Sequence, residues 1–543
     1  MYDKTPVFPH QQHLPWAHEP LKSIYVFQRL LTTLLLVPLW AIYYSILPRS
    51  FRPRSSWSVT QIVVVKFTKR IYKVTEVAGV TWGTRDPSHD PDEKSLKETR
   101  FVWVPPLPHE LCTGIVNDDQ VLPQKVGTFI WPRHSPLSID VHQEALHSDA
   151  AKKLDLEANA ADSPPHVIGL YLHGGGYCHM SAHEKSGTSR IPRRLMKDNL
   201  FQEIHAVEYR LLQHAPVPGA IQDAAAVYAH LVTHQLGALK GPDGKYHYPN
   251  SPIPYHADNS PTPYPTSASV PSISQEVVSS SAEAGHRQAT QGHANTDRVA
   301  EVRRPRIILI GDSAGGNLVL ALARWIRDEG VLPLPDGMVL LSPSCDPSHT
   351  LPQVPASRRP RPHADTDYLL DTPEPRALLS RTFLGHHPND MVYSPYISPA
   401  SEWVLSVFHG REEGMVDLEP LGPHKDSRDY HDEGIKTYDC AVNGTPTCPD
   451  GRSAANNPYI RVPQGMGLFT GFPRVLVVVG DAERLEREVV ALERALEYDG
   501  VRVRMVWAKD AVHDVLIMAT WDERVREGVW REIGKWVCEV EAE

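Results

Sequence analysis

Cysteine is scarce in this sequence, with six residues among 543, and no two of them form a CxxC pair. So few cysteines exclude a disulfide-rich scaffold, and without a CxxC pair suited to zinc we expect no structural metal. Cys440 and Cys448 flank the glycosylation sequon Asn443-Gly444-Thr445. Two interpretations of that stretch stay open: a small lumenal disulfide loop that carries a glycan, or two free thiols beside a chance sequon.

An excess of basic charge is also absent, because the formal net charge is -10 at pH 7. This balance argues against nucleic acid as the main partner and leaves small molecules or lipids. The hydrophobic share of 41% permits a sizeable core. A chain of this length exceeds one ordinary core, so we expect either two domains or one large domain with insertions.

Long apolar runs are rare, and one stands near the N-terminus, where residues 30–47 carry no charge. As a helix these residues span roughly 27 Å, which nearly crosses a bilayer. We therefore predict a tail over 1–22 and a single-pass transmembrane or anchor helix over 23–48, in the endoplasmic reticulum. A buried core helix is the alternative, and a cleaved signal peptide fits less well because no cleavage site follows.

The orientation of this helix stays open. Arg49, Arg52 and Arg54 follow the apolar run, and the positive-inside rule then favours a cytosolic location for the chain after the helix. The sequon and the cysteine pair favour the lumen instead.

We expect the remaining chain to divide into a cap or lid segment over 49–100 and a main domain over 101–543. Residues 56–79 mix apolar and basic side chains, which is typical of a membrane-surface or lid helix and equally of an ordinary packed helix. From about residue 165 apolar strands alternate with helical patterns, which predicts a mostly parallel sheet covered on both faces. Two insertions interrupt it: a disordered one at 240–304, rich in Pro, Ser and His, and a partly ordered one at 403–470.

A serine stands among glycines in "GDSAGGN", residues 311–317, between a fully apolar run and an amphipathic helical pattern. A strand-to-helix turn of this kind holds a nucleophile at the top of a sheet and needs small neighbours. Ser313 is therefore the candidate nucleophile.

A serine hydroxyl needs a base, and the base needs an acid that orients it. In sheets of this type the chain order is serine, acid, histidine, each after a strand. His513 follows the last predicted strand, and Asp481 and Glu483 follow the strand before it. Asp510 and Asp514 stand too near His513 in the chain for the acid role, so we expect them to be solvated or to cap.

Backbone donors for a reacting carbonyl oxygen are expected from "YLHGGGY", residues 171–177, which follows another apolar run. Glycines let N–H groups approach the substrate closely. We assign the oxyanion hole to the N–H groups of Gly174, Gly175 and Ala314.

Taken together, "HGGGY", "EYRLLQHAPVPGAIQDA", "GDSAGGN", "LLSPSCD", "SPYISPA", "GDAERLE" and "VHDVL" resemble the hormone-sensitive-lipase-like branch of the α/β-hydrolase superfamily. That branch includes carboxylesterases, arylacetamide deacetylases and membrane-bound fungal steryl acetyl hydrolases. The resemblance covers about residues 165–540 without the insertions. It implies an α/β-hydrolase fold with a helical cap, and it puts Glu483 at the acid's place, with Asp481 as the runner-up.

The resemblance also implies a reaction. We expect hydrolysis of a hydrophobic carboxylic ester, such as a steryl acetate, an acylglycerol or a xenobiotic acetyl ester, through an acyl-serine intermediate without metal or cofactor. Residues 50–100 and the region around 365–395 would form the lid. The alternatives are a non-catalytic small-ligand receptor, which some relatives have become, and an inactive membrane scaffold.

Overall fold

The computed structural model describes residues 16, 18–78, 85–134, 166–248, 304–350, 361–370, 382–409 and 466–543. Most of both predicted insertions lies outside these residues, as do Asn443, Cys440 and Cys448. The described helices are α1 (Leu21–Ile46), α2 (Val59–Ala78), α3 (Arg190–Lys197), α4 (Gly219–His230), α5 (Ala314–Glu329), α6 (Glu402–Phe408), α7 (Glu486–Tyr498) and α8 (Glu523–Ala542).

The described strands are β1 (Arg100–Val104), β2 (Val126–Trp131), β3 (Val167–Leu172), β4 (Glu203–Glu208), β5 (Leu239–Lys240), β6 (Tyr246–His247), β7 (Arg306–Asp312), β8 (Gly337–Leu341), β9 (Arg474–Gly480) and β10 (Val503–Ala508). Eight of them form one sheet, in the order β1-β2-β4-β3-β7-β8-β9-β10. At one edge β2 pairs antiparallel with both β1 and β4, and β4, β3, β7, β8, β9 and β10 run parallel to one another.

Both faces of the sheet are covered, as the continuous apolar runs of its strands require. Along β7, Ile307 and Leu309 join one core cluster with residues of α4, α5 and α7, whereas Ile308 and Ile310 join a second cluster with residues of α3 and α8. Alternate side chains of one strand therefore enter two cores. The predicted α/β-hydrolase fold is confirmed.

This topology decides where functional side chains can meet. The carboxyl ends of parallel strands lie at the same edge of a sheet, and ligands bind there in open α/β sheets. β3, β7, β9 and β10 are followed at that edge by the glycine run, by Ser313, by the two candidate acids and by the His513 loop.

The N-terminal segment forms two helices that lie against each other. The Arg29 side chain donates to the Arg70 backbone oxygen, and the Arg70 guanidinium donates to Thr33 Oγ1 at 3.1 Å. Among the described residues, α1 is the one helix long and apolar enough to cross a membrane, with mean hydropathy 1.5 and little of it buried. Pro38 lies inside it.

The ends of the predicted insertions belong to the folded domain. β5 and β6 pair as a short hairpin within 239–247, and Tyr248 is buried. Near the end of the second insertion, Leu468 and Phe469 are fully buried in the core. The folded domain therefore includes the ends of both segments, although the composition of the segments predicts insertions outside it.

Candidate active site

Ser313 occupies a sharp turn between β7 and α5. Its backbone has φ 52° and ψ -117°, in a region where side chains are disfavoured. The turn is tight because a Cβ on Gly315 would lie 2.0 Å from the Leu172 carbonyl oxygen, and one on Gly311 would lie 2.3 Å from the Gly315 oxygen. Those two positions therefore exclude every residue with a side chain, which explains the glycines around the serine.

The base predicted from the sequence lies beside the predicted nucleophile. His513 Nε2 is 2.8 Å from Ser313 Oγ, across 200 residues of chain. The imidazole is buried, with 2% of the residue exposed. The loop that carries it is held by Tyr368, whose hydroxyl donates to the His513 backbone oxygen at 3.0 Å. This hydrogen bond positions a serine and a histidine for proton transfer.

Glu483 is fully buried at the end of β9. Its Oε2 accepts hydrogen bonds from Ser342 Oγ at 2.7 Å and from the Gly480 N–H at 3.0 Å. Ser342 Oγ also accepts from the backbone N–H of Asp514, at 3.3 Å. Ser342 thus connects Glu483 to the loop that carries the histidine. Burial raises the pKa of Glu483, and the hydrogen bonds from Ser342 and Gly480 oppose that rise.

Asp481, the runner-up for the acid, faces the N-terminal segment. Its carboxylate lies 3.8 Å from the Arg54 guanidinium, and its backbone oxygen also accepts from that group. Arg54 contacts Asp510 as well, at 3.7 Å. These contacts indicate that Asp481 binds the N-terminal segment to the domain through Arg54.

Asp514 lies beside the proposed base, a position that the sequence analysis did not predict. Its Oδ2 is 3.2 Å from His513 Nε2, the same nitrogen that contacts Ser313, and the residue lines the cavity. Burial raises the pKa of Asp514, and nearby Asp312 raises it further. Burial also raises the pKa of Asp312 to about 7. The expectation that Asp514 is solvated is therefore wrong, because the residue is buried, on a backbone with left-handed φ of 49°.

The residues predicted for the oxyanion hole surround the serine. A Cβ on Gly174 would lie 3.1 Å from the Ser313 Cβ, so the backbone passes directly beside the nucleophile. Gly175 has φ 107°, and a Cβ there would lie 2.4 Å from the His179 oxygen. Gly175 and Ala314 line the same cavity as Ser313. Gly174 also lies beside the serine, but its backbone N–H interacts with the buried Asp312 carboxylate rather than facing the cavity.

A mostly apolar cavity of about 180 Å³ opens over Ser313 and His513. One wall was not assigned from the sequence: Tyr72 of α2 lines it and packs on Tyr368, with 5.2 Å between ring centres. The mixed pattern of 56–79 indicated a helix but not which residue would face a pocket. The other apolar side chains of the lining are Tyr177, Leu212, Pro347, Leu369, Leu370, Phe383, Val392 and Leu485.

Comparison with known proteins agrees with this fold. A family model described as "alpha/beta hydrolase fold" matches residues 169–410, the segment that contains the glycine run and the serine turn. This confirms the resemblance drawn from the motifs. No curated protein matches the sequence significantly.

Several solved structures are similar to the chain. They include an esterase from the bacterial hormone-sensitive lipase family (16% identity, TM-score 0.42, covering 90% of this chain and 99% of that one). They also include a mutant of the esterase E40, with 16% identity and a TM-score of 0.40 over 87% of this chain and 92% of that one. A third is the hormone-sensitive-lipase homologue EstE7 from a metagenome library, with 14% identity and a TM-score of 0.41 over 94% of this chain and 98% of that one. Because these TM-scores are below 0.5, the fold assignment rests on the strand order and the family model.

Proposed function

On the premise that this chain has the α/β-hydrolase fold, we propose that it is a serine hydrolase of carboxylic esters. The observation that carries the proposal is the 2.8 Å separation of Ser313 Oγ and His513 Nε2 beneath an apolar cavity. The hydroxyl, the base and the candidate oxyanion donors all lie at one edge of the sheet, which is the arrangement that acyl transfer needs.

The proposed reaction has two halves. Ser313 Oγ attacks the ester carbonyl carbon while His513 Nε2 takes the hydroxyl proton, and collapse of the tetrahedral intermediate passes that proton to the departing alcohol. Water then attacks the acyl-serine with His513 as base, and the acid leaves while Ser313 regains its proton. No redox step and no co-reactant other than water is needed.

The other proposed site residues stabilise the negative charge of the intermediates and orient the histidine. The N–H groups of Gly175 and Ala314 would hold the negative oxygen of each tetrahedral intermediate, and each such donor contributes about 3 to 4 kcal/mol to stabilising it. Glu483 would orient His513 and stabilise its protonated form. Its buried position and its connection through Ser342 support that assignment.

The substrate we propose is a hydrophobic ester, such as a steryl acetate, an acylglycerol or a xenobiotic acetyl ester. The apolar side chains around the cavity support this class, because a pocket binds a ligand whose polarity it matches. The exposed apolar surface of α1 supports anchoring in a membrane, where such esters dissolve. Single-pass topology and the endoplasmic reticulum stay predictions.

Active-site labelling tests the proposal. The detergent-solubilised protein should react with a fluorophosphonate probe and hydrolyse p-nitrophenyl acetate with a burst of nitrophenol. Ser313→Ala should abolish both, and His513→Ala should lower labelling and turnover by at least about a thousandfold. Ser406→Ala, which removes a hydroxyl bonded to the Trp403 backbone away from the cavity, is the matched control and should behave as the wild type.

Absence of labelling in a folded wild-type protein would instead support a receptor or a scaffold. A hydrophobic ligand that binds without being cleaved would identify the receptor. Burst amplitude equal to the enzyme concentration would identify the acyl-serine route.

A further inference from the structure

Two adjacent histidines meet one aspartate at a place that the ester chemistry does not use. Asp118 lies in the loop between β1 and β2, and His386 and His387 follow 268 residues later. Asp118 Oδ2 is 3.1 Å from the Nε2 atom of each histidine. The imidazole ring centres are 3.9 Å apart. Three potential ligand atoms from two distant segments therefore converge within 4.8 Å of one another.

The aspartate is held so that one oxygen is available to the histidines. Its Oδ1 accepts the backbone N–H groups of Gln120 and Val121, at 2.8 and 2.7 Å. The side chain is 7% exposed. The carboxylate is thus fixed in the loop through one oxygen while the other points at the imidazoles, as expected of an oriented metal ligand.

His387 is oriented in a similar way. The His387 ring also makes a hydrogen bond with the Val217 backbone. Metal-binding histidines commonly donate their second ring nitrogen to a carbonyl, which leaves the first nitrogen with its lone pair for the ion.

The spacing of the ligand atoms suits a small cation. Zinc binds imidazole nitrogen and carboxylate oxygen at about 2.0 to 2.2 Å, so neighbouring ligands of a tetrahedral ion are separated by about 3.4 Å. The two separations of 3.1 Å need only a slight expansion. Two nitrogens and one oxygen with a water as the fourth ligand form an ordinary zinc coordination set.

We propose that Asp118, His386 and His387 bind one divalent transition-metal ion, with zinc as the preferred ion. The ion joins the β1–β2 loop to the segment over 382–392. Phe383 and Val392 of that segment line the catalytic cavity, and the Phe383 oxygen accepts the Val217 N–H at 2.8 Å. The ion therefore restrains one wall of the cavity without contacting the reacting atoms.

The position of these residues explains why the sequence did not indicate them. Zinc sites read from a sequence depend on short, regular ligand spacings. Here the two histidines are neighbours in the chain, but the aspartate that completes the ligand set is 268 residues away and comes beside them only in the fold.

Metal titration of the full-length chain tests the site. The detergent-solubilised protein is stripped with a chelator, then titrated with Zn²⁺ by calorimetry and with Co²⁺ by absorbance. We expect one high-affinity ion per chain, the visible bands of a tetrahedral Co²⁺ site, and a rise in melting temperature with Zn²⁺ because the ion binds the folded state. None of these readouts depends on ester hydrolysis.

Three variants decide between this site and adventitious binding. His387→Ala and Asp118→Asn should each weaken Zn²⁺ binding by at least about a hundredfold, since losing even an outer partner of a metal ligand costs about 10- to 100-fold. The asparagine variant keeps an oxygen for the Gln120 and Val121 N–H groups, so it separates ligand loss from misfolding. The matched control is His247→Ala, which removes a histidine 3.0 Å from Asp243 in a surface pair.

The wild type and the His247→Ala protein should bind zinc equally. The proposal is overturned if the wild type binds no ion, or if Asp118→Asn and His387→Ala bind Zn²⁺ with the wild-type affinity and stoichiometry.

Discussion

Two acids follow β9, and the contacts of their side chains distinguish them. Glu483 is buried and bonded to Ser342, which in turn contacts the histidine loop. Asp481 is 17% exposed and faces Arg54. Two residues of separation at the end of a strand are enough to direct one carboxyl inward and the other toward the N-terminal segment.

At this position, Glu483→Gln should lower kcat by about ten-thousandfold, because an amide cannot stabilise the imidazolium that forms during the reaction. Asp481→Asn should change kcat by less than about fivefold, since a partly exposed ion pair contributes about 1 kcal/mol or less. Steady-state hydrolysis of p-nitrophenyl acetate measures both. The reverse ranking of the two variants would assign the acid role to Asp481.

The glycines of the serine turn have a separate, purely steric requirement. Gly315→Ala should destabilise the protein by about 1 to 3 kcal/mol or more, because its Cβ would clash with the Leu172 carbonyl oxygen. Gly528→Ala in α8 is the matched control, since a Cβ there meets nothing within 4 Å. That alanine should be neutral or stabilise the helix by about 0.5 to 1 kcal/mol. Thermal unfolding in detergent measures the difference, and equal melting temperatures would contradict the steric account.

Among elements, α1 and α2 have unequal roles. α2 reaches the proposed catalytic centre, because Tyr72 lines the cavity and Lys69 donates to the backbone of Ala364. Between the two helices, Arg52 donates to the Tyr44 backbone oxygen at 2.9 Å and Trp57 donates to the Asp510 backbone at 2.9 Å. The proposed anchor is therefore joined to the active site through folded structure.

The outer face of α1 carries a prediction at this scale. Leu31, Leu34 and Leu35 are about half exposed or more, and burying a leucine in lipid contributes about 1.5 to 3 kcal/mol. Changing the three to serine should release the protein from membranes or vesicles, as measured by flotation, while hydrolysis of a water-soluble ester persists. The control is Leu122→Ser with Leu239→Ser, two leucines elsewhere that are more exposed than those three. Flotation of the triple variant with the wild type would exclude α1 as the anchor.

In the whole molecule, the first insertion leaves and re-enters the domain at one place. The Arg304 guanidinium lies 4.5 Å from the centre of the Tyr248 ring, and Arg304 also pairs with Asp336 at 2.7 Å. The chain ends on either side of residues 249–303 are thus close, so a short connection can replace the segment with little change in loop-closure entropy.

Replacing residues 251–301 by a flexible Gly/Ser linker of about eight residues should therefore keep the fold and leave turnover of a soluble ester within about threefold. Removing 239–248 instead takes away buried Tyr248 and the β5–β6 hairpin and should lower the melting temperature clearly. Expression, melting temperature and probe labelling measure both deletions. Collapse of the 251–301 deletion would mean that the insertion supports the domain.

The order of elements and the two central candidate catalytic residues, Ser313 and His513, could be predicted from local patterns. Apolar runs bounded by glycine indicate buried parallel strands, and the glycines around Ser313 indicate the turn, because both depend on neighbours in the chain. The placement of Tyr72 and Asp514 could not be predicted in this way, since each depends on how distant segments pack or on one backbone angle.

Local patterns are enough to predict the α/β arrangement, the serine on its strained turn and the histidine after the last strand, because strand periodicity and glycine geometry depend on neighbouring residues. The inward direction of Glu483, the contact of Asp514 with His513, and the meeting of Asp118 with His386 and His387 exist only in the assembled fold. Those relations depend on side-chain direction and on segments that sequence separation does not relate, so they arise only when the sheet and its loops assemble.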